Sequence, residues 1–153
     1  MAKTQDRFKL IPAVYLVLRR GDEVLLLRRA NTGYQDGKYS TVAGHLEGDE
    51  LATVGLAREA KEEAGITIDP KDLRLAHTAH RLCRNQTGQE RLDLFFETGK
   101  WQGEATNAEP HKCDDLSWHR LDTLPDDMVP FVRLVLADIA RGANYSEYTE
   151  EPS

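Results

Sequence analysis

Long apolar runs are missing from this 153-residue chain, so it has no stretch of roughly 20 residues fit to cross a bilayer as a helix. The opening residues, MAKTQDRFKL, lack the apolar core and small-residue cleavage site of a signal peptide. Cysteine is scarce. Cys83 and Cys113 are the only two and form no CxxC pattern, which leaves free thiols in a reducing cytoplasm as the expectation. A surplus of positive charge is absent too. The formal net charge of −6 argues against a general binder of nucleic-acid polymers or membranes, both dense in negative charge. No internal repeat, low-complexity tract or interdomain linker interrupts the chain. What is present is 40% hydrophobic and 30% charged, the composition of a soluble globular chain that forms one domain over residues 1–153.

The hydrophobic pattern changes period along the sequence. LIPAVYLVL and EVLLL are apolar runs joined through Arg19-Arg20-Gly21-Asp22, which reads as a hairpin. Residues 31–38, NTGYQDGK, are dense in turn formers, and YSTVAG follows as a short strand. A helical pattern runs from about Asp49 to Ala64 and stops at Gly65. LRLAHTAHRL and RLDLFFE read as a strand pair around the turn NQTGQ. His77 and His80 fall on opposite faces of the first strand and cannot share an ion. LSWHRL is a further strand, ending at Leu124-Pro125. A closing helix, VPFVRLVLADIARG, carries Pro130 near its first turn and an apolar face of Phe131, Leu134, Val135 and Ile139. Phe95, Phe96 and Trp101 read as packing residues, and Asp114, Asp115, Asp126 and Asp127 as loop or capping residues. The polar tail from about residue 143 is expected to fray. This order of elements predicts an α+β chain, or an α/β/α sandwich around a mixed sheet.

One segment stands apart: GHLEGDELATVGLAREAKEEAGI, residues 44–66. On a helix, Glu59, Glu62 and Glu63 fall within an arc of about 100°, while Leu56, Ala57, Ala60 and Ala64 share the other side. Ala52 and Gly55 lie upstream of the acids, where small side chains leave room for a ligand. A merely solvated face would usually intersperse more lysines; here Arg58 and Lys61 are the only basic residues beside the acids. Oxygen ligands at helical spacing, with a loop carbonyl near Gly44, suit a hard ion such as Mg²⁺ or Mn²⁺ better than zinc.

Gly44, Glu50, Arg58, Glu59, Ala60, Glu62, Glu63, Gly65 and Ile66 match the Nudix box, G-x(5)-E-x(7)-R-E-U-x-E-E-x-G-U, where U is bulky and aliphatic. Only Ala60 departs, being smaller than usual at a packing position. The chain thus resembles the Nudix hydrolases. The resemblance implies an α/β/α sandwich and metal-dependent hydrolysis of a diphosphate linkage in a nucleoside diphosphate derivative, a small molecule and not a nucleic-acid polymer. It implies Glu59 and Glu63 as metal ligands, Glu62 as a ligand directly or through water, and Glu59 as a candidate to activate the water. Arg58 is expected to pair with a box carboxylate such as Glu50, and Gly44 to shape the loop near the metal. A further carboxylate is expected from downstream, with Glu109 preferred over Glu104 and Asp93. Arg28 and Arg29 could hold a phosphate or a ring, Tyr34 and Tyr39 could stack on a base, and His45 could contact substrate or only solvent. A homodimer is plausible. Two rivals stay open: a nucleotide sensor without catalysis, and a prenyl-diphosphate isomerase, which would want a nucleophilic cysteine.

Overall fold

The apolar run near the start of the chain becomes β1 (Ile11–Arg20), a strand so hydrophobic that both of its faces are covered. In the computed structural model, which describes residues 7–84 and 89–151, alternate side chains of β1 enter two different cores. Ala13, Tyr15 and Val17 join one buried cluster, and Val14, Leu16 and Leu18 join the other. Each fully buried side chain of this size contributes about 1.5–3 kcal/mol. A one-residue slip would exchange the two faces, so packing fixes the register.

Gly21, at φ +60°, turns the chain into β2 (Glu23–Arg29). β1 runs parallel to β6 (Glu90–Thr98) and antiparallel to β2 and β4 (Val42–His45). β2 also pairs with the short β3 (Tyr39–Ser40) and with β7 (Cys113–Arg120), while β5 (Arg74–Cys83) lies beside β6. The sheet is mixed, as expected. Helix α1 (Ala52–Ala64) covers one face through Leu56, Ala60 and Ala64. Helix α2 (Pro130–Ala140) covers the other through Phe131, Val132, Val135 and Leu136. The architecture is an α/β/α sandwich.

Several boundaries differ from the sequence reading, each for a local reason. α1 begins at Ala52 and not near Asp49, because Asp49 adopts φ +66° and the Glu50 carboxylate turns back to accept the Glu47 N–H at 2.8 Å. YSTVAG breaks at Thr41 into β3 and β4, which pair with different strands. β7 starts at Cys113, so Asp114 and Asp115 are strand residues; Arg28 and Tyr39 hold their carboxylates across the sheet. It ends at Arg120, before a 3₁₀ turn over Leu121–Thr123.

On α2, Leu134 is half exposed, and Val132 and Leu136 face the core instead. Phe131 sets this rotation by packing edge-on against Tyr15, with ring centroids 5.6 Å apart. The tail does not fray where it was expected to. Tyr145–Glu150 forms β8, parallel to β5, and its inward residues Ser146, Tyr148 and Glu150 find polar partners in His77, Asp138 and Arg81. His77 is buried and His80 partly exposed, on opposite faces of β5. Phe95 and Phe96 enter the two cores, and Trp101 stacks on Trp118. Residues 85–88 of the NQTGQ turn lie outside the described residues. Among those described, no helix is long and apolar enough to cross a membrane.

Candidate active site

The acids of α1 sit in a web of charge built around one guanidinium. Arg58 grips Glu50 with two hydrogen bonds, Nε to Oε1 at 3.2 Å and Nη2 to Oε2 at 2.9 Å. Its Nη1 donates to Glu59 at 3.0 Å and more weakly to Glu62 at 3.4 Å. The bonds from Arg58, with the Glu47 N–H, hold the Glu50 carboxyl below the usual carboxylate range. Two glycines make this packing feasible. A methyl group built on Gly44 would fall on the Glu59 carboxyl, so β4 can pass under α1 only with hydrogen at this position. Gly55 is buried, not on the ligand side as its spacing suggested. A methyl there would meet Leu46 at 2.8 Å and Glu50 at 3.0 Å, so its small size makes room for Glu50.

Helix α1 ends at Gly65, whose backbone is left-handed at φ +69°. The loop of residues 104–112 then docks onto the open carbonyls of the last turn. Thr106 N–H donates to Ala64 O at 2.9 Å and Ala108 N–H to Glu63 O at 3.1 Å. Glu109 follows directly, its N–H held by the Asn107 side chain at 3.2 Å. It lines the same cleft of about 640 Å³ as Gly44, Glu59, Glu62 and Glu63. The two alternatives do not: Glu104 is exposed, and Asp93 is buried in an ion pair with Arg81.

The donor chemistry at this end fits a hard divalent cation. Burial raises the Glu63 carboxyl well above the usual range, helped by the hydrogen bond and charge of Glu59 and by the charge of Glu109. A cation would relieve that crowding. Among the described residues, no group of three or more His, Cys, Asp or Glu side chains is already arranged to hold an ion. The fit is therefore one of donor type and charge.

The residues expected to meet substrate are divided by the structure. Arg28 and Arg29 are neighbours on β2 and point to opposite faces. Arg28 bonds Asp114 at 2.7 Å, lies over the ring of Tyr39 and is not among the residues that line the cleft. Tyr39 is buried, with its hydroxyl on Asp115 at 2.5 Å. Arg29, Tyr34 and His45 do line the cleft. Arg29 donates to Tyr34 O at 2.7 Å and lies over the Tyr34 ring. His45 Nε2 is 2.7 Å from Arg91 Nη1, and burial together with the Arg91 charge lowers the imidazole's pKa. The neutral ring then accepts from Arg91 through Nε2. Sequence reasoning missed much of the lining, including Tyr15, Arg81, Arg91, Lys112 and Phe131. Arg81 left a signal, as the one charge on the inward parity of β5 with His77, Ala79 and Cys83.

Comparison with known proteins agrees with this geometry. The NUDIX domain model matches residues 9–139. NAD-capped RNA hydrolase NudC of Stutzerimonas stutzeri (strain A1501) is 31% identical over 117 residues, covering 76% of this chain and 39% of that protein. Its counterpart in Pseudomonas aeruginosa (strain LESB58) is 32% identical over 76% of this chain and 38% of its own. The chain thus spans about two fifths of the length of these curated relatives. Among solved structures, the MutT NUDIX hydrolase from Burkholderia pseudomallei superposes with a TM-score of 0.77 at 21% identity, covering 85% of this chain and 98% of that one. The MutT protein from Methanosarcina mazei Go1 gives 0.73 at 26% identity, over 86% and 94%. The family match runs well past the box, from β1 into α2, and on that ground the chain belongs to the Nudix hydrolase family.

Proposed function

We propose that this chain hydrolyses a diphosphate linkage in a nucleoside diphosphate derivative, with Mg²⁺ or Mn²⁺ as its cofactor. One observation carries the reading: Glu59, Glu62, Glu63 and Glu109 all line a single cleft of about 640 Å³, within the ~300–1,000 Å³ typical of small-molecule sites. Glu59 and Glu63 would hold the cation, with Glu62 directly or through water and the Gly44 carbonyl beside them. When bound, the cation supplies Lewis-acid stabilisation of phosphoryl charge and eases deprotonation of a water.

The remaining work belongs to the chain. Glu109, on a loop fastened to α1, or Glu59, on the helix itself, takes the proton of the attacking water. Oxygen bonds to phosphorus as the bridging P–O bond opposite breaks, and the leaving phosphate carries away the electron pair. Arg58 keeps Glu50 and Glu59 in register during this exchange. Arg29 and Lys112 line the cleft, and neither has an ion-pair partner among the described residues. Arg29 also donates to Tyr34 O and Thr32 Oγ1, which leaves its Nη1, together with the Lys112 ammonium, for phosphate oxygens.

The rivals fit less well. A sensor has no need for a full set of crowded acids. An isomerase needs an activated thiol, yet Cys83 and Cys113 are both buried, and burial raises both thiols. The Cys113 S–H is also spent on Asp115 O at 3.1 Å. A cytoplasmic location and a homodimer belong to the same proposal.

The test is a substrate panel with Mg²⁺: nucleoside triphosphates, dinucleotides including NAD, nucleotide sugars and, because of the relatives' name, NAD-capped RNA. Release of mononucleotide, phosphate or pyrophosphate from one small-molecule class is expected. Turnover of capped RNA alone would overturn the small-molecule reading, and nucleotide binding without any turnover would favour the sensor.

A further inference from the structure

Arg81 occupies an inward position of β5, and only 2% of it is exposed. A guanidinium can be buried only where it is paired and hydrogen-bonded. Arg81 meets that demand with residues from three other strands and a loop. Nε donates to Asp93 Oδ2 at 3.0 Å, Nη1 to Glu150 at 2.8 Å and to the Tyr34 hydroxyl at 3.2 Å, and Nη2 to the Tyr15 hydroxyl at 3.4 Å. The group also lies over Phe131, 3.8 Å from the ring centroid. Arginine carries five N–H donors, so one on Nη2 has no partner among the described residues. Arg81 lines the main cleft and also a neighbouring cavity of about 140 Å³.

The charge balance decides what this donor can serve. Arg81 faces two carboxylates, Asp93 and Glu150, and even with the nearby Arg91 charge counted its surroundings offer no net positive charge to a phosphate. Around it the cleft is apolar and aromatic, with Ala13, Tyr15, Val129 and Phe131 in its wall. A polyphosphate gains nothing here. A flat ring with an acceptor at its edge gains both packing and a directional hydrogen bond. Building on the reading of this cleft as a nucleotide site, we propose that Arg81 is a specificity-determining residue whose free Nη2 N–H recognises a carbonyl or ring nitrogen on the substrate's heteroaromatic base. Strand β8 is then part of the recognition wall, because its Glu150 fixes the guanidinium.

Arg81→Met alone would strand Asp93 as an unpaired buried carboxylate and endanger folding. The test therefore uses two variants: Arg81→Met combined with Asp93→Leu, which replaces the pair by apolar groups, and Arg81→Lys, which keeps the charge but loses the fork. Thermal melting establishes that each is folded. Calorimetric titration then compares AMP and GMP with inorganic pyrophosphate. The affinity for the preferred mononucleotide is expected to fall about tenfold or more in both variants, with pyrophosphate binding unchanged. Unchanged mononucleotide affinity, equal weakening of pyrophosphate, or a wild-type protein that binds neither mononucleotide would overturn the proposal. Binding is read without turnover, so nucleotide binding by a protein that hydrolyses nothing would sink only the hydrolase reading.

Discussion

The two ends of the cleft treat charge in opposite ways. Around α1, Glu59, Glu62, Glu63 and Glu109 crowd one region, and Arg58 can reach only Glu59 and Glu62 among them while holding Glu50. Around β5, Arg81 is matched by Asp93 and Glu150 and packed on Phe131. The first end is unsatisfied as folded and needs something from solution. The second is paired apart from one Arg81 N–H and the buried Asp93 Oδ1, which has no hydrogen-bond partner among the described residues. Unrelieved repulsion marks where chemistry is done, and a largely paired, shaped wall marks where a partner is read.

The largest expected effect breaks the unsatisfied end. Glu59→Gln and Glu63→Gln keep size and remove charge, and each should lower turnover by about 10²–10⁴-fold with the fold intact. Near-normal turnover in both would reduce the carboxylate cluster to surface decoration. Gly44→Ala should follow at about 10²-fold, since the added methyl displaces the Glu59 carboxyl. Steady-state kinetics checks both. Glu109→Gln should reduce kcat more than it raises KM, by about tenfold or more. Glu104→Gln, an exposed change outside the cleft, should do nothing. Equal kinetics in those two variants would remove Glu109 from the site.

The smallest effect is on stability and has a definite sign. Glu63 binds its proton more tightly in the folded protein than at its ordinary value of 4.5. Between that value and the raised one, the folded state holds more protons than the unfolded, so metal-free stability falls as pH rises above about 4.5. Glu63→Gln removes this penalty. In chelator, the variant should melt a few degrees above the wild type at pH 7.5 and show no advantage near pH 4. A constant offset across pH would mean that the carboxyl's titration is not the cause.

The sequence made the first end legible and the second almost invisible. The box acids are close in the chain, so helical spacing alone brings them to one face. Glu109 is remote, and only the family resemblance pointed to an acid supplied from downstream. The inner wall is built from β1, β5, β6, α2 and β8, and no local pattern reports which of their residues meet. Polar SEYTE was read as a fraying tail, because its inward partners His77, Asp138 and Arg81 lie up to 70 residues away. Helix α2 shows the same limit. Apolar residues surround most of it, so the sequence left its rotation open until Phe131 met Tyr15.

The central claim is that the crowded glutamates act through a divalent cation. Chelator-treated protein should be titrated with Mn²⁺ while bound ion is counted by electron paramagnetic resonance and turnover of the best panel substrate is followed in the same samples. Turnover should be absent at the start and rise in step with bound Mn²⁺, and both should be lost together in Glu59→Gln and Glu63→Gln. Full turnover in excess chelator, or Mn²⁺ binding that these substitutions leave untouched, would contradict the account.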